Sequence, residues 1–425
     1  MQVAVPYGCG KITLQADERR AEWHIIKTES CEALKDPSRN FTAACRTPIA
    51  SPPLRDIIKP TDRIVVVTSD GTRPFPNNII IPWLLEELNL ADDKITILLG
   101  NGTHRKNTPP EIISMFGEEI VRRIKIVNHD CIKEDDLKFV GITATNGRIS
   151  LNRLYVEADK RIVLGFIEPH FFAGFSGGAK GIVPAVAAME TIMHIHRTEL
   201  IADPKSTWGE LERNPIQHEI NEMVSACPPD FLINVTLNSE RKITGFYCGD
   251  YRKAHLHGCA EVLKQSTVTV NDRFPLVITS NGGYPLDQNL YQTVKGISAA
   301  ARIVEPGGTI LVASECRDGI PSNGQFANLM SQGYTPDAIL DHIRNLKQPI
   351  VDQWQAQILS TILQHAKIGI YSSLDSRDVS KCGMYHINDI QTEIEDKIKS
   401  KGKMIVAAVL PDGPLSIPTI LDKFP

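Results

Sequence analysis

Two kinds of hydrophobic pattern alternate along the chain. Short, continuous apolar runs predict strands that are buried on both faces, and they lie at 63–67, 95–99, 124–128, 161–166, 275–279, 309–313, 367–371 and 404–409. Stretches with helical apolar spacing, several with proline near the first turn, predict helices at 78–88, 110–116, 184–197, 215–225, 251–265, 290–303, 336–346, 351–365 and 390–399. Residues 1–60 are expected to form a mostly irregular or β-rich lead-in.

This alternation of strands and helices predicts an α/β fold whose sheets are mostly parallel and flanked by helices. A chain of 425 residues is long enough for two such domains. We place an N-terminal domain at 1–270 and a C-terminal domain at 271–410, because a new strand with its own loop begins there. The proline-rich residues 411–425 are expected to pack on the N-terminal domain. Ligands bind beyond the carboxyl ends of strands in such sheets, so we expect the active site in the cleft between the domains.

Composition and charge favour small-molecule chemistry. The formal charge is −4, with both signs spread along the chain, which argues against nucleic-acid and membrane partners. The nine cysteines are scattered without a Cys-x-x-Cys pair, which argues against a disulfide framework or a cysteine-bound zinc and fits a reducing cytoplasm. We see no signal peptide, and no apolar run reaches the roughly 18 residues of a membrane span. We therefore expect a soluble, cytoplasmic protein.

The first candidate loop follows the strand at 63–67 and reads Ser-Asp-Gly-Thr-Arg-Pro at residues 69–74. Glycine lets the backbone approach a ligand closely, and the planar guanidinium of Arg73 suits a carboxylate or a phosphate. Asp70 would orient Arg73 or bind a sugar hydroxyl. The alternative interpretation is a polar turn capped by Asp70.

The second candidate loop follows the strand at 95–99 and reads Gly-Asn-Gly-Thr-His-Arg at residues 100–105. Its histidine, His104, suits proton transfer because the reference pKa of imidazole is about 6.5. An ordinary surface histidine is the alternative.

The third loop, at 168–181, reads Glu-Pro-His-Phe-Phe-Ala-Gly-Phe-Ser-Gly-Gly-Ala-Lys-Gly. Four glycines in eight residues, with a lysine and a following helix, predict an anion cradle at a helix N-terminus. A P-loop would need glycine in place of Ala179 and serine or threonine in place of Gly181, so we reject a standard nucleotide hydrolase. The alternative, a flexible loop with a solvent-exposed lysine, is disfavoured by the paired Phe171 and Phe172.

The predicted helix that follows carries His194 and His196. Two positions on a helix are separated by about 200°, so these side chains point to opposite sides. They cannot chelate one metal ion together, and at most one of them faces the site.

Further candidates lie on the predicted helix at 290–303. Gln292 and Lys295 share a helix face with each other and can bind a carboxylate or a phosphate, and Tyr291 precedes them. An ordinary polar helix face is the alternative. Trp354 either covers a pocket or lies in the core.

Together these motifs resemble the nickel-dependent lactate racemase family, and the resemblance spans most of the chain. It rests on the order of Ser-Asp-Gly-Thr-Arg-Pro, Gly-Asn-Gly-Thr-His-Arg, the long glycine-rich string, His-x-His-Arg and Tyr-Gln-Thr-Val-Lys-Gly. That family carries a nickel-pincer nucleotide, a pyridinium-3-thioamide-5-thiocarboxylic acid mononucleotide joined to a lysine. The resemblance implies that Lys180 is this lysine, that His196 is the protein's nickel ligand, and that His104 and His170 are the catalytic acid/base pair.

The resemblance also implies the remaining site residues. Cofactor binding falls to Asp70, Thr72, Arg73, Gly174, Ser176, Gly177, Gly178 and Trp354, and substrate binding to Arg73, Tyr291, Gln292 and Lys295. The N-terminal domain would then be the cofactor-binding domain. The implied partners are a small 2-hydroxy acid substrate and the enzymes that build the cofactor.

The chemistry of the residues is consistent with this assignment. The C2–H bond of lactate is barely acidic, so hydride transfer to a cofactor is a better route than deprotonation. One histidine takes the hydroxyl proton, a planar keto acid forms, and a second histidine serves the opposite enantiomer. The cationic Arg73 and Lys295 would hold the carboxylate.

Two rival interpretations remain open. The same scaffold and cofactor would serve another 2-hydroxy acid, whether short and aliphatic, malate-like or aromatic. A non-catalytic nucleotide- or anion-binding protein would keep the glycine cradle but would have no use for three histidines around it.

Overall fold

The computed structural model describes residues 1–15, 17–29, 31–322, 324–400 and 404–421. The strands are β1 (Gln2–Tyr7), β2 (Gly10–Gln15), β3 (Ala21–Ile25), β4 (Ile64–Ser69), β5 (Ile95–Gly100), β6 (Lys125–Asn128), β7 (Leu137–Ile142), β8 (Arg148–Asn152), β9 (Lys160–Phe166), β10 (Pro169–His170), β11 (Gly174–Phe175), β12 (Phe231–Leu237), β13 (Ile243–Gly249), β14 (Thr267–Val270), β15 (Phe274–Ser280), β16 (Val304–Ala313), β17 (Lys367–Tyr371), β18 (Tyr385–Ile387), β19 (Ile405–Leu410) and β20 (Ile417–Ile420).

The α-helices alternate with these strands. They are α1 (Pro37–Arg46), α2 (Leu54–Ile57), α3 (Asn77–Leu88), α4 (Pro109–Phe116), α5 (Glu118–Arg123), α6 (Arg153–Glu157), α7 (Met189–Ile195), α8 (Thr198–Ala202), α9 (Pro215–Ser225), α10 (Lys253–Ser266), α11 (Leu290–Ala301), α12 (Phe326–Met330), α13 (Pro336–Arg344), α14 (Gln353–Leu363), α15 (Ser376–Lys381) and α16 (Ile390–Ser400). No helix in the described ranges is long and apolar enough to cross a membrane.

The chain divides into two compact units. The central unit comprises Ser30–His196 and Pro204–Gln265, and the terminal unit comprises Met1–Glu29, Arg197–Asp203 and Ser266–Pro425. Each unit is built around one six-stranded sheet.

The sheet of the central unit has the strand order β13-β12-β9-β4-β5-β6 and is parallel except for β13, which runs antiparallel to β12. Val66 of β4 is paired with Ile162 on one side and Ile97 on the other, and all three side chains are buried. Helices α1, α3 and α4 contribute apolar side chains to the core on this sheet. The continuous apolar runs therefore belong to strands that are covered by packing, as we predicted.

The sheet of the terminal unit has the order β18-β17-β16-β15-β19-β3, and every neighbouring pair is parallel. Its core includes Trp23, Ile278, Leu311 and Val409. The hairpin of β1 and β2 and the parallel pair of β14 and β20 complete the unit. The predicted α/β class, with two mostly parallel sheets and flanking helices, is confirmed.

The division along the chain differs from the expected one at both ends. Strand β3 pairs with β19, so the first residues belong to the terminal unit and not to one continuous N-terminal domain. In the tail, β20 pairs with β14 and Leu421 N–H donates to Val270 O, so this segment packs within the terminal unit. Parallel pairing between segments far apart in sequence leaves no local signal of this kind.

Candidate active site

The three candidate loops of the central unit leave three adjacent parallel strands. Residues 70–74 follow β4, residues 101–105 follow β5, and residues 167–178 follow β9, and β4 lies between the other two strands. The carboxyl ends of parallel strands meet at one edge of a sheet, where ligands bind in α/β folds. The backbone of the second loop is also tied to the segment after the glycine-rich string, because Gly102 N–H donates to Ala185 O at 2.9 Å.

The buried Asp70 forms a hydrogen bond with His104, whose side chain is 37% exposed. Asp70 is 3% exposed, and its Oδ2 lies 2.7 Å from His104 Nδ1. Its Oδ1 accepts hydrogen bonds from Thr72 N–H and the Thr72 hydroxyl. Burial raises the pKa of Asp70, but the hydrogen bonds from His104 and Thr72 and the nearby charges, including Arg73, outweigh it, so the pKa is lowered overall. The carboxylate accepts Nδ1–H, which leaves His104 Nε2 with a lone pair that can take a proton.

Arg73 is held more loosely. Its Nη1 lies 3.8 Å from Glu168 Oε1, and both side chains are partly buried. This is an ion pair and not a hydrogen bond. A guanidinium has five N–H donors, so Arg73 keeps donors for a carboxylate or phosphate. Asp70 therefore hydrogen-bonds His104, whereas the sequence suggested Arg73 as its partner.

Lys180 and His170 lie together against an aromatic wall. Lys180 Nζ is 3.5 Å from His170 Nε2 and 5.4 Å from the centre of the Phe172 ring. The His170 ring stacks on Phe171 and meets Phe172 edge-on, with centroid distances of 5.0 and 4.5 Å. On the other side of the imidazole, Ala173 N–H donates to Nδ1. The lysine is thus held in a defined position, as the paired phenylalanines predicted.

The glycine-rich loop packs tightly against side chains of β12 and α10. Gly177 and Gly178 have positive φ values of 79° and 55°, and a side chain is strained there. Gly178 N–H donates to Asn234 Oδ1 at 2.9 Å, and a Cβ atom on Gly178 would lie 2.5 Å from the His255 ring. Only glycine fits this position without displacing its neighbours.

The helix predicted at 184–197 is wrong over its first part, so no α-helix directly follows the glycine-rich loop. Residues Gly178–Gly181 form a short 3-10 turn, and α7 begins only at Met189. Pro184 has no N–H donor and disfavours helical backbone at the residue before it. Ala188 N–H and Met189 N–H donate to Ser150 O and Cys131 O. An anion in this loop would therefore be held by loop amides and Lys180, without a helix N-terminus.

The surroundings of His196 determine which of its ring nitrogens carries the proton. It caps the C-terminus of α7, and its Nδ1 lies 2.7 Å from Ile192 O. Burial, together with the charge of Lys180, lowers its pKa to about 4, so the ring is neutral at neutral pH. With Nδ1–H donated to the carbonyl, Nε2 keeps its lone pair, which is the arrangement typical of metal-bound histidines.

His194 has different partners, as the spacing on a helix predicted. Its Nε2 lies 3.0 Å from Glu219 Oε1 and 2.9 Å from the Thr145 hydroxyl. In the described part of the chain, no group of three or more His, Cys, Asp or Glu side chains could hold a metal ion. A metal at His196 would thus need ligands from a bound molecule, and a sulfur-bearing nucleotide fits this donor set.

The remaining candidates lie in the terminal unit, around the first turn of α11. Asn289 caps this helix by accepting Gln292 N–H at 3.0 Å. The hydroxyl of Tyr291 accepts Trp354 Nε1–H at 2.9 Å, and Trp354 is 4% exposed. Trp354 is thus a core residue that orients Tyr291. Gln292 Oε1 is buried without a hydrogen-bond partner in the described ranges, and Lys295 follows one turn later.

Four polar residues around the glycine-rich loop escaped the sequence analysis. Gln217 Nε2 donates to Ala173 O, Asn214 Nδ2 donates to Phe172 O, and Asn234 and His255 lie under Gly178. Asn234 could have been recognised from the sequence, since a polar residue inside the apolar run of β12 indicates a buried hydrogen-bonding role. The other three became recognisable only when the fold brought them to the loop.

Replacing Gly178 by alanine should distort the loop more than backbone strain alone explains. Gly102 is the control in the same unit, because its φ is 54° against 55° for Gly178 and a Cβ atom there would come no closer than 3.6 Å to Pro184 O. We expect Gly102→Ala to lower the free energy of unfolding by about 1–2 kcal/mol and Gly178→Ala by about 1–3 kcal/mol more, because of overpacking against His255. Urea unfolding of both variants measures the difference, and equal losses would contradict the close packing.

The fold and the site define a class: an α/β protein with a carboxylate–histidine pair and a glycine-rich, lysine-bearing loop at the carboxyl edge of a parallel sheet. Residues 7–209 match the lactate racemase N-terminal domain, and residues 270–417 match the lactate racemase C-terminal domain. The chain belongs to the lactate racemase family. The expectation of an enzyme of the isomerase class is confirmed by this membership.

Individual relatives support the same assignment. The lactate racemase of Thermoanaerobacterium thermosaccharolyticum is 35% identical over 419 residues, which are 97% of this chain and 97% of that protein. The lactate racemase of Lactiplantibacillus plantarum is 35% identical over 417 residues, which are 97% of this chain and 98% of that protein. The structure of the lactate racemase apoprotein from T. thermosaccharolyticum matches with a TM-score of 0.92 at 33% identity and covers 98% of this chain and 100% of that one.

Proposed function

We propose that this enzyme interconverts D- and L-lactate by reversible hydride transfer through a keto acid, with a nickel-pincer nucleotide tethered to Lys180. The substrate is supported by the two relatives that are named lactate racemases. The observation that carries the reaction type is the Asp70–His104 hydrogen bond, because it presents a base at Nε2 next to an anion-binding loop.

The residues present suit this cofactor. Lys180 would provide the amine for the covalent tether, and His196, whose Nδ1 lies against Ile192 O, would bind nickel through Nε2. The backbone N–H of Gly177 in the glycine-rich loop would bind the phosphate of the nucleotide. Asp70, Thr72, Arg73 and Gly174 complete its surroundings. When bound, this nucleotide supplies a hydride acceptor, so that C2–H of the substrate need not be lost as a proton.

The side chains of the enzyme then handle the hydroxyl proton and the carboxylate. His104 Nε2 would take the hydroxyl proton of one enantiomer, so that C2 becomes the carbonyl carbon of a planar keto acid, which can rotate to present its other face. His170 serves as acid/base for the other face, so the two histidines exchange roles when the reaction runs backwards. Arg73 would hold the carboxylate. In the terminal unit, Tyr291, Gln292 and Lys295 stay predicted substrate-binding residues. Trp354 acts through its hydrogen bond to Tyr291.

This function implies a specific biological setting. The tethered nucleotide must be supplied by its biosynthetic enzymes, which are the expected partners, and we expect the reaction to take place in the cytoplasm.

The decisive experiment expresses the chain with and without the cofactor-building enzymes. Intact mass should show an adduct on Lys180 only in the co-expressed protein, with one nickel per chain by metal analysis. Optical rotation is then followed with pure enantiomers of lactate, a longer aliphatic 2-hydroxy acid, malate and an aromatic 2-hydroxy acid. A constant rotation with lactate beside turnover of another acid would reassign the substrate, and full activity in nickel-free, unmodified protein would contradict the cofactor.

A further inference from the structure

A histidine of α10, outside the recognised motifs, contacts the glycine-rich loop. His255 lies on α10 and is 7% exposed, and its Nε2 lies 2.8 Å from Ser176 O. The sulfur of Cys259 lies 3.2 Å from the same nitrogen. Burial, together with the charge of Lys180, lowers the pKa of His255 to about 4, so the ring is neutral and donates Nε2–H to the carbonyl.

The next peptide group of the loop is fixed by a second buried side chain. Gly178 N–H donates to Asn234 Oδ1, and a Cβ atom on Gly177 would lie 2.7 Å from that same oxygen. Asn234 is fully buried in β12. Two consecutive peptide groups are therefore anchored toward the interior, one by its carbonyl and the other by its N–H.

The anchoring determines where the Gly177 amide points. In a planar trans peptide, the C=O of one residue and the N–H of the next point in opposite directions. Because Ser176 C=O points at His255, Gly177 N–H points away from α10. Within the described chain this N–H donates no hydrogen bond, so it remains a donor for a ligand on the side of the loop that faces away from α10.

We propose that His255 is a positioning residue that orients the Ser176–Gly177 peptide so that Gly177 N–H binds the phosphate of a mononucleotide. This inference rests on the proposed function, since it takes a nucleotide as the occupant of the loop. It adds a residue that binds neither substrate nor cofactor directly and acts through one backbone carbonyl. A backbone N–H that faces a ligand is a donor for an anion, and a reversed peptide would remove this donor and present a repelling carbonyl instead.

Two substitutions separate the hydrogen bond from simple space filling. His255→Phe keeps a ring under Gly178 but removes the donor, whereas His255→Gln keeps an N–H donor but removes the ring. The probes are nicotinic acid mononucleotide and inorganic phosphate, titrated calorimetrically into protein made without the cofactor-building enzymes. We expect Kd for both probes to rise about tenfold in His255→Phe and to stay within about threefold in His255→Gln, since a factor of ten corresponds to one good hydrogen bond.

A matched control accounts for lost stability. Tyr155→Phe removes another buried hydrogen bond in the central unit, the one to Cys227 O at 3.0 Å, in which no residue of the loop takes part. It should lower the free energy of unfolding by a similar amount and leave both Kd values unchanged. Equal Kd values for His255→Phe and the unaltered protein would overturn the role of His255 alone. An unaltered protein that binds neither probe would instead overturn the phosphate site on which this inference rests, whereas the proposed function is tested separately by the adduct on Lys180.

Discussion

Replacing Lys180 by arginine is expected to abolish racemisation and to leave the protein without a covalent adduct. Arginine keeps the positive charge near His170, so a loss of activity would not come from a lost charge. A guanidinium stays protonated and cannot form the amine-derived tether. Without the tethered hydride acceptor, the rate should fall toward the uncatalysed one, by roughly 10⁶-fold or more. Intact mass and optical rotation, measured on co-expressed protein, report the two effects separately.

Lys160 provides the control for this substitution. It is a partly buried lysine of the same unit, paired with Asp230 Oδ1 at 3.2 Å. Lys160→Arg should therefore keep the adduct, the nickel and the activity. If Lys180→Arg racemised lactate at the normal rate, the covalent tether would be wrong, and a loss of activity in both variants would point to a general effect of lysine replacement.

The sequence predicted the sheet strands well because their apolar runs are buried on both faces. The predicted runs at 63–67 and 95–99 became β4 and β5, which are neighbours in the sheet. Helix α9 begins and ends where the pattern placed it, since Asn214 caps it and Pro215 opens it. The family motifs could likewise be read directly, because each is contiguous and lies at the end of a strand.

Other elements carried too little local signal. Helix α1 lies inside the predicted irregular lead-in, although Asp36 caps it and Pro37 opens it, because only Phe41 and Cys45 are buried on it. The helix predicted at 184–197 fails over its first part, since hydrogen bonds to Ser150 O and Cys131 O hold that backbone. In both cases, tertiary contacts that the local pattern does not record decide the outcome.

The site shows the same division between local and long-range information. The sequence supplied His104 and Asp70 as separate candidates on separate loops, and their 2.7 Å contact needed the pairing of β4 with β5. His255 gave no signal at all, because it reaches the loop from a helix that lies 79 residues further along the chain. Residues that act on a site through the backbone are the hardest to find from a sequence.

Replacing Asp70 by asparagine is expected to lower kcat strongly while the fold persists. The carboxylate accepts His104 Nδ1–H and so leaves Nε2 as the base. An asparagine amide can instead donate to Nδ1, which moves the imidazole proton to Nε2 and blocks the base. General acid–base catalysis contributes roughly 10²–10⁴-fold, so kcat should fall within that range. Because enantiomers have equal free energies, kcat/KM must fall equally for D- and L-lactate, and both directions should be measured.

Stability at low pH provides a second readout of the same pair. The pKa of Asp70 is lowered in the folded protein, so its contribution to folding is complete above about pH 4 and is lost as the pH falls through the lower folded value. As the pH is lowered below about 4, the free energy of unfolding of Asp70→Asn should therefore decrease less than that of the unaltered protein. Asp62→Asn serves as the control, since Asp62 is also buried and its carboxylate accepts Lys59 N–H. It should reduce stability without changing kcat, and equal losses of kcat in both variants would show that Asp70 does not act through His104.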